Sequence, residues 1–128
     1  MSEIEPFYFE MDCPCKGKNL DKLLQPSILM ALHQQSLHGF ALIAEIAKSP
    51  LCDNKAPDAA GVYRYLKKME NSGLLTSEWE FLDGEKPRRV YSITDKGDHC
   101  LVTWSTVLKK YAYDINQIVI NIDKVFEI

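Results

Sequence analysis

The chain has 128 residues, of which 46% are hydrophobic and 26% charged, and its formal net charge at pH 7 is −3. This length suits one domain with a hydrophobic core. No uncharged stretch of about 18 apolar residues occurs and the N-terminus is acidic, so the sequence predicts neither a membrane span nor a secretory leader and favours a cytosolic protein.

The acidic total does not exclude nucleic acid as a partner, because the charge is unevenly distributed. The first twelve residues contain four acids and no base, which leaves 15 basic against 14 acidic residues in the remainder of the chain. A field that attracts nucleic acid would therefore have to be local.

The N-terminal arm, residues 1–18, mixes acids and aromatics with the sequence CPCKGK, in which Pro14 and Gly17 interrupt any regular pattern. Cys13 and Cys15 lie beside two lysines, whose charge favours the thiolate that binds soft metals or is oxidised. The sequence predicts a flexible arm with a candidate metal or redox-sensing site at these cysteines. Exposed cysteines without a role are the alternative, since no nearby pair completes a set of four ligands.

Residues 19–94 show a pattern of three helices followed by a β-hairpin. Apolar residues at helical spacing predict a first helix from Pro26 to Gln34. The segment LHGFALIAEIAKSP predicts a second helix, reached through a tight glycine-containing turn and ended by Ser49 and Pro50. His38 is expected to cap or orient that second helix.

The third predicted helix begins after Asp58, whose carboxylate can cap it, and ends near Gly73. Its apolar residues Val62, Leu66 and Met69 point one way. The opposite face collects polar, basic and small side chains, namely Ala60, Tyr63, Arg64, Lys67, Lys68 and Asn71.

Two strands complete this pattern. The segment LLTSEWEFL alternates as a strand does, DGEKP predicts a turn, and RRVYSI predicts the second strand. The order of elements predicts a winged helix-turn-helix, a mainly α fold with a small β-hairpin wing (α+β).

Residues 95–128 predict one long helix that Thr94 caps, with apolar residues spaced alternately three and four apart, as in a heptad seam. A helix of roughly 30 residues extends about 45 Å, further than so small a domain, so part of its apolar stripe lacks a partner in its own chain. We therefore expect a homodimer. The predicted dimerisation residues are Leu101, Trp104, Leu108, Tyr111, Ile115, Ile118, Ile122 and Val125.

Three segments resemble the PadR family of winged-helix transcriptional regulators: ILMALHQQSLHGFALIAEI, GVYRYLKKMENSGLLTSEWE and KPRRVYSITDKGDHCL. The resemblance covers residues 26–104 and implies a homodimer, joined through the C-terminal helix, that binds operator DNA and usually represses transcription until a small molecule or another signal releases it. Some members hold flat aromatic compounds at the dimer interface with a tryptophan, which makes Trp104 a candidate effector-binding residue. The family's common Thr-Leu-Tyr-Pro is replaced here by residues 61–64, Gly-Val-Tyr-Arg.

In a winged helix-turn-helix the polar face of the third helix enters the major groove, where cations meet phosphates and Arg or Lys reaches guanine edges. We expect Tyr63 and Arg64 near the bases and Lys67 and Lys68 at phosphates. A solvated helix face is the alternative interpretation.

The wing contributes Lys86 and Arg88 as candidate minor-groove contacts. Arg88 and Arg89 alternate between the two faces of a strand, so only one of them can reach DNA. The other arginine is expected to pair with a hairpin acid such as Glu78 or Glu80.

The sequence thus predicts a regulator that binds a palindromic operator in double-stranded DNA as a homodimer, with half-sites roughly 34 Å apart. One alternative is a winged-helix module that binds protein through the same faces, and another is a metal or thiol sensor that uses Cys13 and Cys15. No phosphate-binding glycine loop, nucleophile elbow or converging His and carboxylate set predicts an enzyme.

Overall fold

Four helices and three short strands make up residues 23–49 and 56–128, the part of the chain that this computed structural model describes. In chain order these elements are α1 (Leu24–Gln34), β1 (Leu37–His38), α2 (Gly39–Ala47), α3 (Ala59–Asn71), β2 (Leu75–Glu80), β3 (Arg88–Ile93) and α4 (Asp95–Phe126). They confirm the predicted winged helix-turn-helix with a long C-terminal helix. None of the described helices combines the length and the apolar composition needed to cross a membrane.

The sheet has one strand more than the predicted hairpin. Strand β1 pairs antiparallel with β3, through Leu37 opposite Tyr91 and His38 opposite Val90, which gives the order β1-β3-β2. The predicted glycine turn before α2 is therefore wrong, because this segment is extended and Gly39 is the first residue of α2. A strand of two residues is too short to show alternation, so only its pairing with β3 reveals it.

Three of the helices begin with a side chain that accepts a hydrogen bond from an otherwise unpaired backbone amide. His38 Nδ1 accepts from the Ala41 amide at 3.3 Å, and Asp58 Oδ2 accepts from the Gly61 amide at 3.1 Å. The Thr94 hydroxyl accepts from the Gly97 amide at 3.1 Å. These contacts confirm the caps that the sequence predicts at all three positions.

The hydrophobic core lies where the first three helices meet one face of the sheet. The three apolar residues predicted for the inner side of α3 are fully buried. The core residues are Ile28, Leu29, Leu32, Leu42, Ile46, Val62, Leu66, Met69, Leu74, Leu75 and Tyr91. Because α3 uses its whole apolar side in this core, its polar side must face outward.

Helix α4 has 32 residues and continues beyond the domain. Leu101 and Trp104 pack against the core of their own chain, and Leu108 is half-buried. From Tyr111 onward the predicted seam is exposed, with 58% of Ile118 accessible to solvent. The structure therefore divides the predicted dimerisation residues into a proximal part that packs on its own domain and a distal apolar face, which consists of Tyr111, Ile115, Ile118, Ile122 and Val125.

Candidate nucleic-acid interface

Helix α3 presents a continuous exposed face of basic and aromatic side chains. Tyr63, Arg64, Lys67 and Lys68 are all exposed, and positions i, i+1, i+4 and i+5 of a helix share one side. Within the described residues, no ion pair engages Arg64 or either lysine. No acid among residues 23–49 and 56–128 therefore neutralises the positive charge of this face.

The ring of Tyr63 is not free on this face, because it lies against the backbone at the start of α2. A Cβ added to Gly39 would come within 2.5 Å of the Tyr63 hydroxyl and of its Cε1 atom. Gly39 thus allows the tyrosine of α3 to cover the beginning of α2. The His-Gly-aromatic motif marks Gly39 in the sequence, but its partner Tyr63 is visible only in the fold.

Replacing Gly39 with alanine is expected to lower the free energy of unfolding by about 1 kcal/mol, because the added methyl group displaces the half-exposed Tyr63 ring. Thermal or urea unfolding of the variant measures this loss. In a Tyr63→Ala background the same replacement should cost much less, since the obstructing ring is gone. An equal cost in both backgrounds would show that Tyr63 does not determine the need for glycine at position 39.

The wing arginine that the sequence assigns to DNA has an acidic partner in this structure. Arg88 Nε and Nη2 donate to Glu80 Oε1 at 3.1 and 2.9 Å, and the two residues lie directly opposite each other in the ladder of β2 and β3. The predicted division between the two arginines is therefore reversed, because Arg88 and not Arg89 pairs with a hairpin acid. Both side chains are more than one-third exposed, so the pair contributes little to stability.

Arg89 is also engaged, on the side of the sheet that faces α3. Its Nε donates to Ser77 Oγ at 2.7 Å, and its Nη2 lies 3.5 Å from Glu70 Oε1. The guanidinium carbon lies 5.9 Å from the centre of the Trp79 ring, within reach of a cation–π contact. Burial raises the pKa of the Tyr91 phenol beside this network. Sequence reasoning missed this network because it joins three elements.

Lys86 lies exposed in the segment between β2 and β3 and has no acidic partner among the described ion pairs. The wing as a whole is not basic, because residues 78–89 contain four acids and three bases. The positive field of this side of the molecule therefore comes from α3 rather than from the wing.

Trp104, the candidate effector-binding residue, forms one wall of an apolar groove between α1 and α4. Its indole Nε1 donates to Gln25 Oε1 at 2.8 Å, so the polar atom of the ring is satisfied within the chain. The groove is open to solvent and has a volume of about 560 Å³, which suits a small ligand or the apolar side of another helix. Its apolar walls include Leu23, Pro26, Met30, Leu101, Trp104 and Leu108.

The candidate metal or redox site at Cys13 and Cys15 lies outside the described residues and stays a prediction. Across 23–49 and 56–128, no group of three or more His, Cys, Asp or Glu side chains is arranged to hold a metal ion. Cys100 is half-buried, with its Sγ 3.9 Å from Gln25 Oε1.

Known proteins share both the sequence pattern and the fold of this chain. The profile of the transcriptional regulator PadR-like family matches residues 28–102, which is more than half of the chain. TA0346 from Thermoplasma acidophilum, described as a transcriptional regulator, is 26% identical in sequence. Its structure has a TM-score of 0.69, and the alignment covers 78% of this chain and 93% of that one.

Two further solved structures have the same fold. A PadR family transcriptional regulator from Eggerthella lenta is 23% identical, with a TM-score of 0.70 over 90% of this chain and 94% of that one. Bacillus subtilis PadR, solved in complex with operator DNA, is 24% identical, with a TM-score of 0.56 over 64% of this chain and 45% of that one. A search of curated proteins found no match. The extent of the family match is decisive: the chain belongs to the PadR-like family of transcriptional regulators, which are not enzymes.

Proposed function

We propose that this regulator binds operator DNA as a homodimer, inserts α3 of each protomer into successive major grooves, and represses transcription until a signal releases it. The observation that carries this proposal is the exposed face of α3, on which Arg64, Lys67 and Lys68 have no acidic partner in the described chain. A helix with its apolar side in the core and unpaired cations outside is suited to a phosphate-lined groove. The operator complex of Bacillus subtilis PadR, which has the same fold, supports this use of the fold.

Each side chain of this face has a role that follows from its chemistry. Arg64 can donate two parallel hydrogen bonds to a guanine edge, whereas Lys67 and Lys68 act as point charges at phosphates. Tyr63, whose ring is held by α2, offers its hydroxyl at a defined place near the bases. In the wing, Lys86 can contact a phosphate without losing an acidic partner among the described residues. Arg88 can contact a phosphate only by leaving the carboxylate of Glu80.

The homodimer is supported by the distal apolar face of α4. Five large side chains remain exposed on a stretch of α4 against which no other described segment of the chain packs. Exposed apolar stripes of this length are typical of a protein interface, and a second copy supplies a face of identical spacing. Dimerisation along α4 would hold two α3 helices at a constant separation, as a palindromic operator requires.

The releasing signal is proposed to act on the geometry of this dimer. The groove beside Trp104 offers a site for a small apolar effector, and Cys13 and Cys15 offer a site for a metal or an oxidant. Either signal would lower operator affinity by stabilising a dimer in which the two α3 helices are wrongly spaced.

The test is a titration of DNA from the promoter region of its own gene, followed by gel shift or fluorescence anisotropy at several salt concentrations. If each protomer neutralises three or four phosphates, the logarithm of the binding constant should fall with the logarithm of salt with a slope of about −5 to −7. Binding without such a slope, or no preference over unrelated DNA, would contradict the proposal. Failure to bind any DNA would favour the alternative of a protein-binding module, for which the exposed Trp79 and Phe81 of the wing are candidate contacts.

A further inference from the structure

The turn that follows α3 is bonded at three successive carbonyl groups to the beginning of α4. The Ser72 carbonyl accepts from Lys96 Nζ at 2.8 Å, and the Gly73 carbonyl accepts from the Thr94 hydroxyl at 2.7 Å. The Leu74 carbonyl accepts from the Thr94 amide at 3.1 Å. The last carbonyl groups of α3 itself accept from the amides of residues 72–74, and the residues at the start of α4 supply the donors for the carbonyls of this turn. We name residues 72–74 together with 94–97 the α3–α4 joint.

The Thr94 hydroxyl has two functions in the α3–α4 joint at once. It donates its proton to the Gly73 carbonyl and accepts the hydrogen bond that caps α4 from the Gly97 amide. A hydroxyl has one proton and two lone pairs, so no water is needed to satisfy it. Gly97 lies so close to the Leu74 carbonyl that a Cβ at position 97 would overlap this oxygen. The joint is therefore both hydrogen-bonded and closely packed.

The C-terminal end of α3 is also tied to the wing. Ser77 Oγ donates to Glu70 Oε2 at 2.6 Å, and Arg89 contacts both of these residues. Side chains thus connect the end of α3 to the base of the wing and the turn after α3 to the first turn of α4. Any reorientation of α4 that preserves these bonds must carry α3 with it.

We infer that Thr94 is a positioning residue for operator recognition, which transmits the orientation of α4 to α3 through the α3–α4 joint. The inference rests on the proposed function, because two reading helices need a defined separation only when a dimer binds two half-sites. Helix α3 has 13 residues and is about 20 Å long. A rotation of about 10° at the joint would displace its far end by roughly 3 Å, far more than the range of about 0.5 Å over which a hydrogen bond forms.

The test compares Thr94→Val, which keeps the shape but loses the hydroxyl, with Thr94→Ser, which keeps the hydroxyl. We expect Thr94→Val to bind the operator about tenfold more weakly and Thr94→Ser to bind within about twofold of the unaltered protein. We also expect Thr94→Val to discriminate less against operators whose half-site spacing is changed by one base pair. Lys96→Met removes only the bond to Ser72 and should show a smaller change in the same direction, which keeps the test available if Thr94→Val does not fold.

A second readout uses no DNA and therefore separates this inference from the proposed function. Spin labels at positions 67 and 106 in one chain, diluted with unlabelled protein, report the distribution of distances between α3 and α4. Both positions are exposed and lie outside the joint. The distribution should be narrow in the unaltered protein and in Thr94→Ser, and broader or shifted by a few ångström in Thr94→Val.

The outcomes are distinguishable. If the unaltered protein binds no operator but the distance distribution broadens in Thr94→Val, the joint is rigid as inferred and the proposed function fails. If the distribution is unchanged, or if Thr94→Val loses affinity equally for all half-site spacings, Thr94 does not position α3 and the inference is overturned.

Discussion

Replacing Arg64 and Lys67 together with alanine is expected to weaken operator binding at least about a hundredfold at moderate salt, because a dimer loses both side chains at each half-site. An arginine at a guanine edge is worth roughly 1–3 kcal/mol, and a lysine at a phosphate adds a contribution that depends on salt. Because neither side chain has an ion-pair partner within the described chain, their removal leaves no acid unpaired and should leave the fold intact. The slope of the logarithm of the binding constant against the logarithm of the salt concentration should also become shallower by about 1 for each phosphate that the variant no longer neutralises.

A matched control removes two positive charges elsewhere in the chain. Lys110 and Lys124 are exposed on α4 outside the distal apolar face, and their double replacement with alanine gives the same change in net charge. Lys110 pairs with Asp114, but both side chains are exposed, so the loss of this pair should change stability little. If this control weakened binding as much as Arg64→Ala with Lys67→Ala, the effect would come from total charge and not from a reading helix. Melting temperatures of both variants establish that folding is unaffected.

Replacing Ile118 with glutamate is expected to dissociate the dimer at micromolar concentration. Ile118 lies in the middle of the distal apolar face and is 58% exposed in the single chain, so the change should disturb the protomer little. In a dimer, each copy would instead bury an unpaired carboxylate, which costs several kcal/mol and raises the dissociation constant more than about a hundredfold. Sedimentation velocity measures the change in assembly directly.

Dissociation of the dimer should also be visible in operator binding. The Ile118→Glu variant should lose at least about tenfold in affinity for the full palindrome but keep its affinity for a single half-site, since each α3 helix is unaltered. Gln117→Glu is the control, because it introduces the same charge on the polar side of α4. A dimer that survives Ile118→Glu, or one that Gln117→Glu disrupts equally, would contradict dimerisation through the distal apolar face.

The exposed face of α3, the α3–α4 joint and the distal apolar face of α4 form one continuous structural path. In the proposed function, the cationic face of α3 would supply the contacts to DNA, the distal apolar face of α4 would join the two copies, and the α3–α4 joint would connect them. Under this proposal a signal that shifts α4 need not touch α3, because the bonds of Thr94 and Lys96 to the turn after α3 would carry the movement. Regulation would then require only a small change in how two α4 helices pack.

The order of the four helices and the two wing strands, the inner side of α3 and the capping residues could be predicted from the residues alone, whereas strand β1 could not. Each depends on side chains that are only a few positions apart, such as Asp58 and the Gly61 amide, or Val62, Leu66 and Met69. Helical periodicity and capping are local properties, so they are visible in the chain without knowledge of the fold. The family resemblance also rests on such local segments.

The remaining features needed the folded chain, since they join residues that are far apart in sequence. The sequence could not specify which acid Arg88 would meet, because that depends on the register of β2 against β3. Nor could the sequence separate the proximal and distal parts of the seam of α4. The apolar residues have the same spacing along the whole helix, and this spacing does not show which of them pack against the domain. The contact of Tyr63 with Gly39 and the bond of Thr94 to Gly73, 21 residues away, likewise arise only when the core brings these elements together. Burial and long-range pairing are properties of the packed whole, whereas periodicity is a property of each segment.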